Sequence, residues 1–260
     1  MIDLHTHILP GLDDGAASLE EALQMAAIAA AEGVSAVVAT PHVVSGLYDN
    51  TRRQIQEAVD HLNRCLAAES IPLQVLTGAE YRLEPDLPRR LDAGRLMTIN
   101  DAGRYLLVEL PLALVPDYTE QLLYEIQLQG VTPILAHPER NPGLSRSPQR
   151  LSRLAQRGVL AQVTTGSIRG RFGQTARRAA LKMLETGAAQ VVASDAHSAR
   201  GRSPAITAAA REIEARWGAA FARTVLATHP RRIIAGEVVE PVLQEPESGF
   251  LARVFRPFSR

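Results

Sequence analysis

Short apolar runs recur along the 260-residue chain, each followed by a polar loop bearing His, Asp or Glu and then by a helical pattern. The runs predict seven strands, near residues 1–4, 36–40, 73–77, 105–109, 132–136, 160–164 and 190–194. Ser18 is placed to cap a first helix, and Glu21 sits where a capping box needs its acid. Gly33 ends that helix after an alanine-rich run with Leu19, Leu23 and Ala26 on one face. A second helix is predicted over 51–68, where Ile55, Val59, Leu62 and Leu66 recur at helical spacing. Further helices are expected at 118–129, 148–157, 174–186 and 203–217, with a short one at 221–226.

No long Gly, Ser or Pro linker divides these segments, so residues 1–260 are expected to form a single α/β domain, with 238–260 as a peripheral C-terminal tail. Short connections through helices favour parallel strands with right-handed crossovers. An open sheet and a closed barrel both satisfy that alternation, and the polar residues at the strand ends separate them. His5 and His7, then His42, Glu80, Glu109, His137, and finally Asp195 with His197, follow successive strands on the same side. An open sheet gathers its ligands at one switch point, whereas a barrel brings every C-terminal strand end round one mouth. The expected architecture is a seven-stranded, TIM-like (β/α)7 barrel.

His5 and His7 are two apart, so on an extended segment they share a face and can hold one metal together. Alone, such a pair is as readily the polar end of a strand. The remaining residues change the reading: Asp14 follows in LDDG, His42 ends TPH, Glu80 lies in TGAEY, Glu109 in LLVELP, His137 in ILAHPER, and Asp195 with His197 in SDAH. A carboxylate closing an apolar strand needs a partner or a metal if it is buried. Asp13 competes with Asp14 as the loop ligand, and spacing does not choose between them. His61 and His229 lie outside the strand-end pattern and are expected to be structural or solvent-facing. Cys65 borders the apolar stripe of the second helix, and the C-x5-R arrangement of a cysteine phosphatase fails because Ile71 stands at the sixth position after it.

Five histidines and four carboxylates exceed one tetrahedral zinc site and suit a bridged cluster of two or three divalent ions. Such a cavity attracts an anion. Arg140, three residues after His137, and Arg202, five after His197, place guanidinium groups where they can bind phosphate oxygens. The 28 basic residues balance 28 acidic ones, giving no overall field for nucleic acid or an anionic membrane. Only Lys182 is a lysine, which leaves little room for lysine-based covalent chemistry. A single cysteine, no secretion signal and no long apolar span point to a cytoplasmic protein without membrane insertion.

IDLHTHILPGLDDGA, the ATPH segment, GLYDNT, GAEY, VELP, AHPER, TGSIRGRFG and ASDAH followed by Arg202 together span nearly the whole chain. In these motifs the sequence resembles the PHP metallohydrolase superfamily, and more closely its bacterial capsule and exopolysaccharide tyrosine-protein phosphatase family. The resemblance implies a PHP barrel and a sharing of ligands: His5, His7, Glu80 and Asp195 on one ion, Glu80, Glu109 and His137 on a second, and Asp14, His42 and His197 on a third. It favours manganese, with iron and zinc compatible with the same nitrogen and oxygen donors. Arg140 and Arg202 would bind the phosphoryl group while metal-activated water attacks phosphorus, with no phosphoenzyme.

The implied substrate is a phosphotyrosine protein, in particular the tail of a bacterial tyrosine autokinase that controls capsule or exopolysaccharide synthesis. Histidinol phosphate or another small phosphomonoester is the alternative substrate. An amidohydrolase fits less well, because Lys182 lies in a helical segment and cannot serve as a bridging carboxylated lysine. A phosphate-binding protein without catalysis and a purely structural barrel are disfavoured by the repeated strand-end ligands. GRFGQTARRAA adds positive charge that guides an acidic peptide or solvates a helix, and EEALQMA offers a surface for a homo-oligomer or forms a solvent-facing helix.

Overall fold

The computed structural model describes residues 1–239. The chain runs through β1 (Ile2–Thr6), α1 (Leu19–Ala31), β2 (Ala36–Ala39), β3 (His42–Val43), α2 (Arg52–Ala68), β4 (Gln74–Thr77), β5 (Glu80–Arg82) and α3 (Leu87–Asp92). It continues with β6 (Tyr105–Glu109), α4 (Thr119–Leu128), β7 (Thr132–Ala136), α5 (Pro142–Ser145), α6 (Pro148–Gln156), β8 (Leu160–Thr164) and α7 (Thr165–Ile168). The last elements are α8 (Gly173–Glu185), β9 (Val191–Ala193), α9 (Thr207–Arg223) and α10 (His229–Ile234). Val239 donates its backbone N–H to the Tyr105 hydroxyl, 2.9 Å away. The rest of the expected tail, residues 240–260, lies outside the described residues.

Every pair of neighbouring strands is parallel, as the alternation predicts. Where a ring of seven is expected, the described residues form nine strands in two sheets, ordered β1-β2-β4 and β3-β5-β6-β7-β8-β9. The predicted strands at 36–40 and 73–77 appear as β2 and β4, each followed after a short break by a further strand, β3 or β5, and each break has a local cause. Pro41, which has no N–H to give a ladder, separates β2 from β3. Gly78 separates β4 from β5 at a close approach, where a Cβ would stand 2.6 Å from Val38 Cγ1. Between β1 and the segment after β9 the pairing shrinks to one bridge, Thr6 to Ala196, supported by His7 N–H on the Ala196 carbonyl at 2.8 Å and Asp195 N–H on the His5 carbonyl at 2.9 Å.

Both faces of the strands are apolar, as buried parallel sheets require. Val37, Leu106, Val108, Leu135, Val163 and Val192 pack with the helices in the larger core. Alternate residues, among them Val38, Tyr105, Leu107, Ile134, Ala136, Leu160 and Val191, form a smaller cluster with Ile233 and Val239. The two-residue strand period carries that second face from Tyr105 and Leu107 to Glu109, and from Leu160 to Gln162. Polar chemistry therefore begins where the apolar filling of this face ends.

Helix α2 buries Ile55, Val59, Leu62 and Leu66, and Thr51 with Gln54 closes its capping box. In α1, Ser18 caps as expected, and Ala22, Met25, Ala26 and Ala29 form the buried face, with Leu19 and Leu23 partly buried against the same core. The expected helices at 203–217 and 221–226 are two parts of α9 and its continuation, interrupted by Gly218 at φ 86°. No helix among the described residues is long and apolar enough to cross a membrane.

Candidate metal centre

His5 is the penultimate residue of β1 with His7 just beyond the strand, Asp14 lies in the loop before α1, and His42 and Glu80 open β3 and β5. Glu109 ends β6, and His137 and Arg140 follow β7, whereas Asp195, His197 and Arg202 follow β9. Strand register makes two of these neighbours direct: His42 pairs with Glu80, and Glu109 with Arg82. The structure brings all eleven residues singled out in the sequence to one place. A cavity of about 320 Å³ is lined by Asp14, His42, Glu80, Glu109, His137, Arg140, Asp195, His197 and Arg202. His5 and His7 are fully buried against it. A larger cavity of about 520 Å³, lined by residues such as Leu123, Tyr124 and Leu154, carries no comparable cluster.

In the loop before α1 the two aspartates face different ways. Gly15 packs so closely on His7 that a Cβ would lie 2.1 Å from the His7 carbonyl oxygen. Its neighbour Asp13 turns inward, accepting from the His42 N–H at 2.8 Å and the Gly15 N–H at 2.9 Å, and reaching His7 Nδ1 at 2.6 Å. Asp14 is left facing the cavity, 3.5 Å from His197 Nε2 and 3.7 Å from His42 Nε2. Asp13 thus positions His7, while Asp14 is free to bind a cation.

The tautomers follow from the acceptors. Gln162 donates to the Val163 carbonyl, which turns its Oε1 toward His5 Nδ1 at 2.8 Å. With Nδ1–H donated outward on both His5 and His7, the neutral form of each ring has its lone pair at Nε2, and these nitrogens stand 3.1 Å apart. Glu80 Oε2 lies 3.2 Å from the first and 3.4 Å from the second, and 3.1 Å from His42 Nδ1. It is buried and makes no hydrogen bond. Lone pairs converging at this range repel unless a cation lies among them. The donor set therefore fits a divalent metal.

Three groups have ligand atoms within 4.8 Å of one another: His5, His7 and Glu80; His42, Glu80 and Glu109; and His7, Asp14, His42 and His197. His137 adds Nε2 at 2.8 Å from Glu80 Oε1, and Asp195 Oδ1 lies 3.4 Å from His5 Nε2. The grouping differs from the sharing implied by the resemblance, because His42 also faces Glu80 and Glu109, and His7 also joins Asp14.

Burial opposes ionisation of Glu80 and Asp195, but the surrounding histidines outweigh it and hold both carboxyls well below their usual range. Burial also pushes His42 down to about 4 and lowers His197, so both imidazoles are neutral at pH 7, the form that ligates metals. Burial resists charge on His7 too, yet Asp13, Asp195 and Glu80 raise its pKa well above the ordinary value.

Arg140 and Arg202 both donate to Asp195 Oδ2, leaving Oδ1 toward the histidines. His137 at φ 35° and Asp195 at φ 53° hold left-handed backbone conformations, strain of the kind that concentrates at functional sites. Sequence reasoning missed Gln162, a polar residue interrupting the apolar run of β8, and Glu139, whose buried carboxylate accepts from the Thr164 N–H and hydroxyl at 2.9 Å and ties the His137 loop to β8. It also passed over Tyr48, stacked on His42 at 5.8 Å. His229 Nδ1 contacts the Gln190 carbonyl at 2.8 Å, a structural role, and Cys65 on α2 does not line the cavity.

Comparison with known proteins places this geometry. The chain is 41% identical over 203 residues to the tyrosine-protein phosphatase YwqE of Bacillus subtilis (strain 168), covering 78% of this chain and 80% of the relative. It is 28% identical over 244 residues to the tyrosine-protein phosphatase CpsB of Streptococcus pneumoniae, covering 92% and 100%. A crystal structure from work on YwqE and CpsB, described as metal-dependent tyrosine phosphatases, matches with a TM-score of 0.88 at 35% identity, over 94% of this chain and 100% of that one. The model of the capsular polysaccharide synthesis family CpsB/CapC matches residues 1–235, and the chain belongs to that family.

Proposed function

We propose that the chain is a metal-dependent protein-tyrosine phosphatase that hydrolyses phosphotyrosine on the tail of a bacterial tyrosine autokinase, in the cytoplasm, in capsule or exopolysaccharide synthesis. The observation that carries this reading is the convergence of His5 Nε2, His7 Nε2 and the unbonded Glu80 Oε2 in a cavity bordered by Arg140 and Arg202. His5, His7, Asp14, His42, Glu80, Glu109, His137, Asp195 and His197 hold a cluster of two or three divalent ions, with manganese favoured. Glu80, with contacts to His5 and His137 on its two carboxylate oxygens, would be the residue shared between ions. The barrel belongs to the same reading: β2 with β3 and β4 with β5 each act as one stave, and the Thr6 to Ala196 bridge is its seam.

When bound, such ions supply Lewis acidity, polarising phosphoryl oxygens and acidifying the attacking water. The chain's own residues do the rest. Arg140 and Arg202 bind and orient the phosphoryl oxygens and offset charge that grows on them in the transition state. Asp195 keeps both guanidinium groups at the cavity through its Oδ2. Asp13 and Gln162 hold their protons at Nδ1 of His7 and His5 and so keep each Nε2 available. A phenolate leaves more readily than an alkoxide, so phosphotyrosine needs less protonation of its leaving oxygen than a serine or threonine ester does.

Arg140→Ala and Arg202→Ala test the reading by steady-state kinetics on a phosphotyrosine peptide, a small aryl phosphate and histidinol phosphate, after metal analysis. Loss of a charged hydrogen bond of about 1.5 to 3 kcal/mol lowers kcat/KM by about ten- to more than a hundred-fold. Metal content stays at the wild-type level. Unchanged efficiency on every phosphomonoester contradicts the phosphate clamp, and a preference for histidinol phosphate over the peptide contradicts the substrate.

A further inference from the structure

Phe172 lies between α7 and α8, in the GRFG stretch that the site leaves without a task. Its ring centre is 4.4 Å from the guanidinium carbon of Arg140 and 5.9 Å from that of Arg202. The same two groups converge on Asp195 Oδ2. Each guanidinium is thus held by two unlike partners. The carboxylate consumes N–H donors, whereas an aromatic face attracts the cation without consuming any. Phe172 belongs to neither apolar core cluster, so core filling does not account for it. The ring is itself held: a Cβ on Gly166, in α7, would lie 2.8 Å from Phe172 Cε2, so the helix backbone abuts the ring edge.

We propose that Phe172 is a positioning residue for phosphate binding, a plate that fixes the two guanidinium planes so that their remaining N–H groups face the phosphoryl oxygens. The proposal rests on the reading that Arg140 and Arg202 bind phosphate. Arginine loses considerable rotamer freedom when it is fixed, and an aromatic plate meets that cost before substrate arrives. Without the plate the side chains spend part of their time turned away from the cavity. The effect falls on binding of the phosphoryl group, while the metal ligands keep their places.

The experiment uses the metal-loaded full chain, measuring KM and kcat on p-nitrophenyl phosphate and competitive inhibition by inorganic phosphate. The variants are Phe172→Ala, Phe172→Leu, Phe172→Tyr, Arg140→Ala, Arg202→Ala and the doubles of Phe172→Ala with each arginine change. The alanine and leucine variants are expected to weaken phosphate inhibition and raise KM by about three- to ten-fold at wild-type metal content. Tyrosine, which keeps an aromatic face, restores both, and in the doubles the alanine at 172 costs less than it does alone. Wild-type phosphate inhibition in the leucine variant overturns the proposal, as does strict additivity in the doubles. Leucine keeps the apolar bulk, so the comparison stands even if the alanine variant folds poorly. If the arginine variants weaken phosphate inhibition and the Phe172 variants do not, the plate fails and the clamp survives. If the arginine variants leave inhibition unchanged, the clamp fails and the plate with it.

Discussion

At the scale of single residues, Asp13 and Gln162 decide which nitrogen His7 and His5 present to the cavity. Outer partners of this kind are worth about ten- to a hundred-fold in metal affinity or activity. Asp13→Asn removes the charge beside His7 Nδ1 and is expected to weaken metal binding and turnover by that amount, measured by calorimetric metal titration and kinetics. Wild-type affinity in the variant would return Asp13 to loop packing. The sequence offered Asp13 and Asp14 as equals because both lie in one turn. What separates them is the close approach of Gly15 to His7 and the His42 N–H that Asp13 accepts, neither of which spacing encodes. Gln162 left a readable trace as the polar member of LAQVT, whereas Phe172 is visible only as part of a motif.

Among the elements, β6, β7 and β8 follow the predicted bounds, since each is a continuous apolar run with clear turn signals. Helix α2 was legible for a different reason, four apolar residues at helical spacing behind a capping threonine. The elements α3, α5, α7 and α10 are too short to show a period, and so are β3 and β5, which lie just beyond Pro41 and Gly78. Contacts between elements are also unreadable from local pattern. Glu32, just past α1, accepts from the Ile206 N–H at 3.1 Å and the Thr207 N–H at 2.6 Å, capping α9 from a distance in sequence. Burial acts against its charge, but the bonds from Thr207 and Ile206 prevail and lower its pKa from 4.5. A lowered carboxyl pKa stabilises the fold above the unfolded value, and the contribution is lost as pH falls through the folded one. Glu32→Gln should therefore destabilise the fold at neutral pH, with the gap to wild type closing as pH falls below the ordinary glutamate pKa. Urea unfolding across pH checks this, and a gap independent of pH would contradict it.

Over the whole molecule, one end of the strands gathers nine candidate ligands and two arginines from strand ends and loops spread between His5 and Arg202. That convergence was legible because each residue closes or follows an apolar run. Their grouping was not, because it depends on the break at Pro41 that starts β3 at His42 and on the register slip in β1 between Asp3 and Thr6. Equal numbers of acidic and basic residues give a neutral chain, so the field that matters for an anionic substrate is local. The account makes that field, and the reaction, depend on bound cations. Its most direct test is hydrolysis of a phosphotyrosine peptide by metal-stripped protein as manganese is returned in stoichiometric steps. Turnover is predicted to be absent at the start and to rise until about two to three ions are bound per chain. Full turnover in the stripped protein, or saturation at a single ion, would contradict a shared metal cluster as the catalytic centre.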